Sequence, residues 1–514
     1  MSTLPRLAFA ILAMTAACEA QAVNQNGQAV YQKRCAMCHE QASPRIPPRA
    51  ALANLNSARI LRVMNSGVMM TIAYPLTRDE REAVATYLGK AGPEPGPAPA
   101  AYCRDRAFKI DTASKFQWNG WSPAVTNTRF ESADRAQLSI DQVRRLKLKW
   151  AFAFDGDISA YAQPAVIGKQ IFVASASGMI YALNADSGCI HWNYQAPAPV
   201  RSAISIAPIG NGHAAIFGDL NGTVYAINAE TGKLIWKKRV EQHEAALLTG
   251  AVTVYNGVAF VPVASWEETR SINPEYPCCT FRGSVVALRV RDGAQIWKMY
   301  TISEAPGETG KTSAGTPRFG PSGAGIWGAP TVDAARKRLY VTTGDNYSPP
   351  ATSNSDAILA LDLATGKIIW SHQATSGDAF NSACVTGVNG PNCPEENGPD
   401  FDFGSSVILA KTPQGREILV AGQKSGVVHA LDPDKSGALL WQTRVAKGGV
   451  IGGVQWGMAS DGQNVYAASS DAIFVTKNQV RSLDRDAGCS QRRSRRISRE
   501  ARSRLCCRHL NEWP

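Results

Sequence analysis

Gly222-Thr-Val-Tyr-Ala-Ile-Asn-Ala-Glu-Thr-Gly-Lys-Leu-Ile-Trp236 is the stretch that decides the fold. Alternating apolar residues make a strand, Asn-x-x-Thr-Gly makes a tight turn with glycine at its positive-φ corner, and a second short strand ends in Trp. The unit recurs at Gly178 to Trp192, Gly283 to Trp297 and Asp356 to Trp370, and loosely at Gly426 to Trp441. Successive starts lie 44, 61, 73 and 70 residues apart, which suits one blade plus a variable loop. Each Trp is large enough to wedge between neighbouring sheets. The pattern predicts four-stranded blades arranged radially, a β-propeller. A β-sandwich with chance resemblance between hairpins is the alternative, and five copies ending in Trp count against it.

Outward from the repeats the composition changes twice. Residues 25–91 are rich in Ala, Leu, Met and Arg and read as a small helical unit. Thr77 with Glu80 makes a capping box, followed by a stripe of Val84, Tyr87 and Leu88. Residues 92–114 open with Gly-Pro-Glu-Pro-Gly-Pro-Ala-Pro-Ala, a semi-rigid linker, and residues 115–477 hold the propeller pattern. Residues 478–514 do not fit it: 481–514 contain ten Arg against four acids, half of the chain's net charge of +12. That tail reads as a frameshifted or miscalled end, which leaves the propeller incomplete. The remainder is only mildly basic, so the charge does not indicate nucleic-acid binding.

At the other end, Arg6, the apolar run Leu7 to Ala17 and Ala20-Gln21-Ala22 read as an export signal over residues 1–22, too short for a comfortable membrane span. Export implies a periplasmic or secreted protein in an oxidising compartment. No integral membrane span is expected elsewhere.

Cys35-Ala-Met-Cys38-His39 is the C-x-x-C-H haem attachment motif. Two thioethers clamp the porphyrin and the adjacent His is an axial iron ligand. A redox dithiol or half a zinc site leaves His39 unexplained. The sixth ligand is expected at Met69, with Met70 next, since a Met ligand suits electron transfer.

A haem c unit joined to Ala-Leu-Asp-x-x-Thr-Gly-x-x-x-Trp repeats resembles the quinoprotein alcohol dehydrogenases, which use pyrroloquinoline quinone (PQQ), and among them the polyvinyl alcohol dehydrogenases. The resemblance covers about residues 28–477. It implies an all-β fold, the PQQ-type eight-bladed β-propeller, preceded by a small α-helical cytochrome c domain. Ile326-Trp327-Gly328 is similar to the segment whose Trp forms the floor under the quinone. Leu339-Tyr-Val-Thr-Thr-Gly-Asp345-Asn346 is similar to the strand ending in an oxygen ligand to Ca²⁺, and here Asp345 or Asn346 offers that oxygen. In Pro399-Asp400-Phe401-Asp402-Phe403, the match makes Asp402 the catalytic base and a Ca²⁺ ligand. Thr249 corresponds to a quinone contact, and the spacing from it favours Glu267 over Glu268 as a further Ca²⁺ ligand. Lys424, in Gly422-Gln-Lys-Ser-Gly426, corresponds to the cation beside the quinone oxygens. Adjacent Cys278 and Cys279 resemble the family's vicinal disulfide beside the quinone, although they stand later in the chain than in better-known relatives. Cys384 and Cys393 bracket a loop and are expected to pair.

The activity so implied is oxidation of secondary hydroxyls of polyvinyl alcohol to ketones. Electrons pass from the quinone to haem c and on to an external acceptor such as a cytochrome c or a quinone. Two alternatives are a quinohaemoprotein acting on small alcohols and a non-catalytic propeller scaffold with a tethered cytochrome.

Overall fold

The computed structural model describes residues 26–41, 46–73, 76–92, 96–155, 157, 159–385, 389–470 and 504–509. The export-signal reading of 1–22 lies outside them. The chain divides into two compact units, one with the N-terminal helices and the segment Ala151–Tyr161, the other with nearly all of the sheets.

The first unit is built from a helix over 26–34 and the helices Ala36–His39, Arg49–Leu52, Ser57–Ser66, Met70–Ala73 and Arg78–Leu88. The capping box forms as read: Thr77 Oγ1 accepts from the Glu80 N–H at 3.2 Å and the Thr77 N–H donates to Glu80 Oε2 at 2.7 Å. Val84 and Leu88 then enter a core with Val30, Tyr31, Ile60 and Met64. Gly27 lets two helices touch, since a Cβ there would fall 2.3 Å from the Ala83 carbonyl oxygen. Arg59 makes a two-pronged ion pair with Asp155, both bonds 2.8 Å.

The second unit is a run of antiparallel sheets, the larger ones meanders, with two two-stranded sheets among them. The last two strands of five successive larger sheets are the sequence repeats: Met179–Asn184 with Ile190–Gln195, Thr223–Asn228 with Leu234–Arg239, Ser284–Arg289 with Gln295–Tyr300, Ala357–Asp362 with Ile368–Gln373, and Val427–Asp432 with Ala438–Arg444. All five hairpins shift register at the same place, after the Ala of the Ala-Leu or Ala-Ile pair. A sixth sheet follows with Met458–Ser460 and Asn464–Ser469, and Arg504–His509, from the stretch read as foreign, pairs with the latter.

The Trp residues do wedge between sheets, and they do so on the turn glycine of the next repeat. Cβ atoms built on Gly188, Gly232, Gly293, Gly366 and Gly437 would fall 2.5–2.8 Å from the rings of Trp150, Trp192, Trp236, Trp297 and Trp370 in turn. The indoles of Trp150, Trp192 and Trp236 also donate to a carbonyl of that turn. Turn glycine and Trp are therefore one contact seen from two sides, and Trp150 belongs to the series although no repeat precedes it. A segment over 117–128 laces the inner strands together: it pairs with Val166 and Ile167, bonds Ile206 through Asn119, and accepts from Val332, Leu409 and Ser460. Among the described residues no helix is long and apolar enough to cross a membrane.

Candidate active site

The site is assembled by equivalent connections of neighbouring sheets. Glu268 follows Val258–Ser265, Asp345 follows Arg338–Thr342, and Lys424 follows Glu417–Gly422; each of these is the second long strand of its sheet's meander. The same end of the unit receives Trp327, ahead of Thr331–Asp333, and the loop of Asp400 and Asp402, ahead of Ile408–Lys411.

Lys424 Nζ donates to Asp400 Oδ1 at 2.5 Å and to Asp402 Oδ2 at 2.8 Å, and stands 5.6 Å from the centre of the Trp327 ring. The second oxygen of Asp402 accepts the Asp345 backbone N–H at 2.7 Å. Carboxyl oxygens of Asp345, Asp400 and Asp402 lie within 4.8 Å of one another, all buried. Glycine permits this packing at Gly344, where a Cβ would fall 2.7 Å from Asp402 Oδ1. Gly404 does the same at the far edge of the Trp327 ring, where a Cβ would fall 2.8 Å from Cη2.

The charge balance is strained. Burial first, and then the neighbouring Asp402, push the Asp345 and Asp400 carboxyls well above the usual carboxylate range. The Glu268 carboxyl is pushed up to about 7, by burial first and by Asp402, with Lys424 opposing. Burial works to lower the Lys424 ammonium, but Asp402, Asp400 and Glu268 overcome it and hold the group well above an ordinary lysine. Crowded carboxyls of this kind are stabilised by a bound cation. Asp345 Oδ2 at the site has no partner, and neither has Thr249 Oγ1, whose neighbour Gly250 lies against the Gly328 carbonyl next to Trp327. Orphaned acceptors beside an indole face fit a metal ion and a polar planar ligand.

Two of the residues expected as ligands already have hydrogen-bond partners. Glu267 is fully buried, but its carboxylate is spent on the N–H groups of Thr280 and Phe281, at 2.8 and 2.7 Å, and on the Tyr276 hydroxyl. On the short helix Glu267–Arg270 consecutive side chains point about 100° apart, so it is Glu268 that faces Lys424 and Asp402. Asn346 is likewise occupied: its amide donates to Ser322 O at 2.9 Å and its oxygen accepts from the Thr352 N–H at 2.7 Å. Asp345 is the residue with a free oxygen.

Cys278 and Cys279 are joined in a vicinal disulfide, buried in the core of the third sheet. The residues after them, Thr280 and Phe281, hold Glu267, so the structure ties the pair to the Glu267–Arg270 helix. Cys384 and Cys393 are bonded as expected. Sequence reasoning passed over Asp378, whose carboxylate accepts the N–H groups of Asp400 and Phe401 at 3.2 and 2.9 Å and so sets the loop of Asp402. It also passed over Tyr347, stacked on Phe281. Neither has a local motif; only Gly377 before Asp378 hints at a turn.

In the helical unit, Cys35 and Cys38 are free thiols. His39 is buried, with Nδ1 2.8 Å from the Pro47 carbonyl oxygen. A carbonyl can only accept, so Nδ1 carries the proton and Nε2 is left as the metal-binding atom. These three groups fit a covalently attached haem. Met69 is half-buried against the helical core; the Met70 side chain lies outside the described residues.

The helical unit and the sheets each resemble known families. Residues 118–383 match the family model described as glucose/ethanol/alcohol dehydrogenase, beta-propeller domain, and residues 22–88 match that of cytochrome C oxidase, cbb3-type, subunit III. A polyvinylalcohol dehydrogenase of a Pseudomonas species is 38% identical over 90% of this chain and 75% of its own length. A second, from Sphingopyxis sp. strain 113P3, is 36% identical over 88% and 72%. The solved structure of quinohemoprotein alcohol dehydrogenase ADHIIG from Pseudomonas putida HK5 has the same fold, with a TM-score of 0.55 at 19% identity, covering 71% of this chain and 59% of that one.

Proposed function

The chain belongs to the PQQ-dependent alcohol dehydrogenases that carry a cytochrome c domain, and from that premise we propose that it oxidises secondary hydroxyls of polyvinyl alcohol to ketones. The observation that carries the site is the Lys424–Asp402–Asp345 arrangement beside Trp327, with Asp345 Oδ2 left unpaired. The substrate rests on the likeness to two polyvinylalcohol dehydrogenases.

Asp402 is the general base. Both its oxygens are already oriented, one by the Asp345 N–H and one by Lys424, so the carboxylate is fixed to receive the hydroxyl proton of the alcohol. Lys424 balances its charge. Glu268, Asp345 and Asp402 would hold Ca²⁺ through carboxylate oxygens. Trp327 would support a planar quinone, and Lys424 and Thr249 would be its polar contacts. Bound there, the quinone supplies the hydride acceptor, Ca²⁺ the Lewis acid and haem c the one-electron carrier. Asp378 and Glu267 are positioning residues, one setting the Asp402 loop and the other orienting the helix that presents Glu268.

Cys35, Cys38 and His39 would attach the haem, and Met69 would supply a further ligand to its iron. Residues 25–91 act as the cytochrome domain, 92–114 as its tether and 115–477 as the quinoprotein domain. The leader at 1–22 directs the protein to the periplasm or the medium, where an external acceptor takes the electrons. Asp402→Asn tests the reading: turnover is expected to vanish while PQQ still binds. Turnover at the parent rate would overturn it.

A further inference from the structure

Tryptophan serves this fold as a wedge between sheets, and two copies depart from that use. Among the described residues the exposed tryptophans are Trp266 and Trp456, at 47% and 60%. Both border the site. Trp266 is the N-cap of the helix that carries Glu268. Trp456 belongs to the segment 448–457, which wraps the backbone of Lys424. The Gly449 N–H donates to the Lys424 carbonyl at 3.1 Å and the Val454 N–H to the Gln423 carbonyl at 3.0 Å. A Cβ on Gly453 would fall 2.1 Å from the Lys424 carbonyl oxygen. The Gln455 carbonyl then reaches the wall of the site: a Cβ built on Gly404 would fall 3.0 Å from that oxygen and 2.8 Å from Trp327 Cη2.

The backbone of Trp456 is held while its side chain is left outside. Its carbonyl accepts from Arg129 Nη1 at 3.3 Å. Gly457 follows with φ +95°, where a Cβ would fall 2.7 Å from the Trp121 ring and 2.8 Å from Arg129 Nη1. Glycine there lets the chain lie against the Trp121–Arg129 pair, whose guanidinium sits 4.2 Å from the ring centre. The Arg201 guanidinium stands 5.8 Å from the centre of the Trp456 ring. Single exposed apolar residues are ordinary on a protein surface, but this one follows directly on the residue that lines the edge of Trp327. An indole on a fixed backbone, open at the border of a binding site, gives up the burial that the wedge tryptophans gain and offers that apolar face to a ligand.

We propose that Trp456 is a polymer subsite, which binds the stretch of polyvinyl alcohol next to the unit being oxidised. This rests on the reading of the substrate as polyvinyl alcohol. That chain alternates methylene and hydroxyl-bearing carbons, so it presents apolar groups that pack on an indole face and hydroxyls that stay in water. A small alcohol ends close to its reacting carbon and does not extend past the edge of Trp327. A polymer does, and gains a second contact. The contact is remote from the reacting hydroxyl and is the same before and during the reaction, so it sets KM and leaves kcat alone. Trp456 touches no reacting atom; it is a residue of substrate specificity.

The experiment compares Trp456→Ala and Trp456→Phe with the parent, all as holoenzymes with PQQ, Ca²⁺ and haem. The substrates are polyvinyl alcohol and pentane-2,4-diol, which carries the same 1,3-diol unit without a chain to extend. Trp456→Ala is expected to raise KM for the polymer about tenfold or more, with kcat for the polymer and both constants for the diol at parent values. Trp456→Phe should recover most of the polymer KM. Calorimetric titration with the polymer, without an electron acceptor, should show the same weakening in the absence of turnover, and PQQ affinity should not change. A parent-like polymer KM in Trp456→Ala, or equal KM changes for polymer and diol, would overturn the proposal. So would a loss of PQQ affinity, since that marks a cofactor contact. A parent that oxidises the diol but neither binds nor oxidises the polymer would overturn the substrate reading and the subsite with it; failure of the subsite alone leaves polymer oxidation by the parent intact.

Discussion

Replacing Lys424 by Met removes the cation from a pocket of acids while keeping the stem that fills the space. Lys424 is 7% exposed and its ammonium touches Asp400 and Asp402 at 2.5 and 2.8 Å. At an effective dielectric of about 20, a pair at such a distance is worth ~6 kcal/mol. Part of that is offset because the ammonium no longer has to be desolvated, so the net loss is about 3–5 kcal/mol, the usual cost of breaking a buried pair from one side. The pH dependence has a definite sign. The Lys424 contribution is complete below the unfolded lysine value of about 10.4 and is lost only as pH rises through its still higher folded value. Lysine titration therefore adds no slope between pH 5 and 8. Asp400 is already raised in the parent and rises further once the cation is gone, so the folded variant binds more protons than its unfolded chain. Its stability falls as pH rises from the unfolded carboxyl range of about 4, and the penalty is larger at pH 8 than at pH 5. Urea unfolding without Ca²⁺, followed by tryptophan fluorescence at the two pH values, measures it. Added Ca²⁺ should recover part of the loss. A penalty under about 1 kcal/mol at pH 8, or one that grows toward pH 5, would refute the reasoning.

Glu268→Gln should weaken Ca²⁺ binding by about tenfold or more in calorimetric titration. Glu267→Gln should leave Ca²⁺ affinity near the parent but destabilise the fold by about 1–3 kcal/mol, because the Thr280 and Phe281 N–H groups lose a charged acceptor. Gly257→Ala and Gly293→Ala share nearly the same backbone, φ +74° and +70°, but only Gly293 faces a Trp ring. The first should cost about 1 kcal/mol and the second clearly more in thermal unfolding, and equal costs would remove the Trp–Gly contact from the account. Thr77→Ala should cost the helical unit about 1 kcal/mol by loss of the capping box, with the haem spectrum unchanged.

The fold was legible because its unit is short, local and repeated. Turn glycine, Ala-Leu bulge and Trp all act within or between adjacent hairpins, and each leaves a residue type at a fixed spacing. The residues that the structure brings together around Lys424 were legible to within one position. Glu267 against Glu268 and Asp345 against Asn346 are neighbours in sequence, and which one faces the ligand depends on the local rotation of a four-residue helix and on where a strand ends. Spacing from Thr249 could not settle that. Asp378 acts across a chain separation of more than twenty residues through backbone N–H groups, which leave no side-chain signature.

The central claim is that one chain couples alcohol oxidation on the propeller to reduction of its own haem. The direct measurement adds PQQ and Ca²⁺ to the purified protein, then polyvinyl alcohol, and follows the haem α-band. The account predicts reduction that requires both PQQ and the polymer and that is absent in Asp402→Asn. A normal haem spectrum with no PQQ-dependent reduction would contradict it.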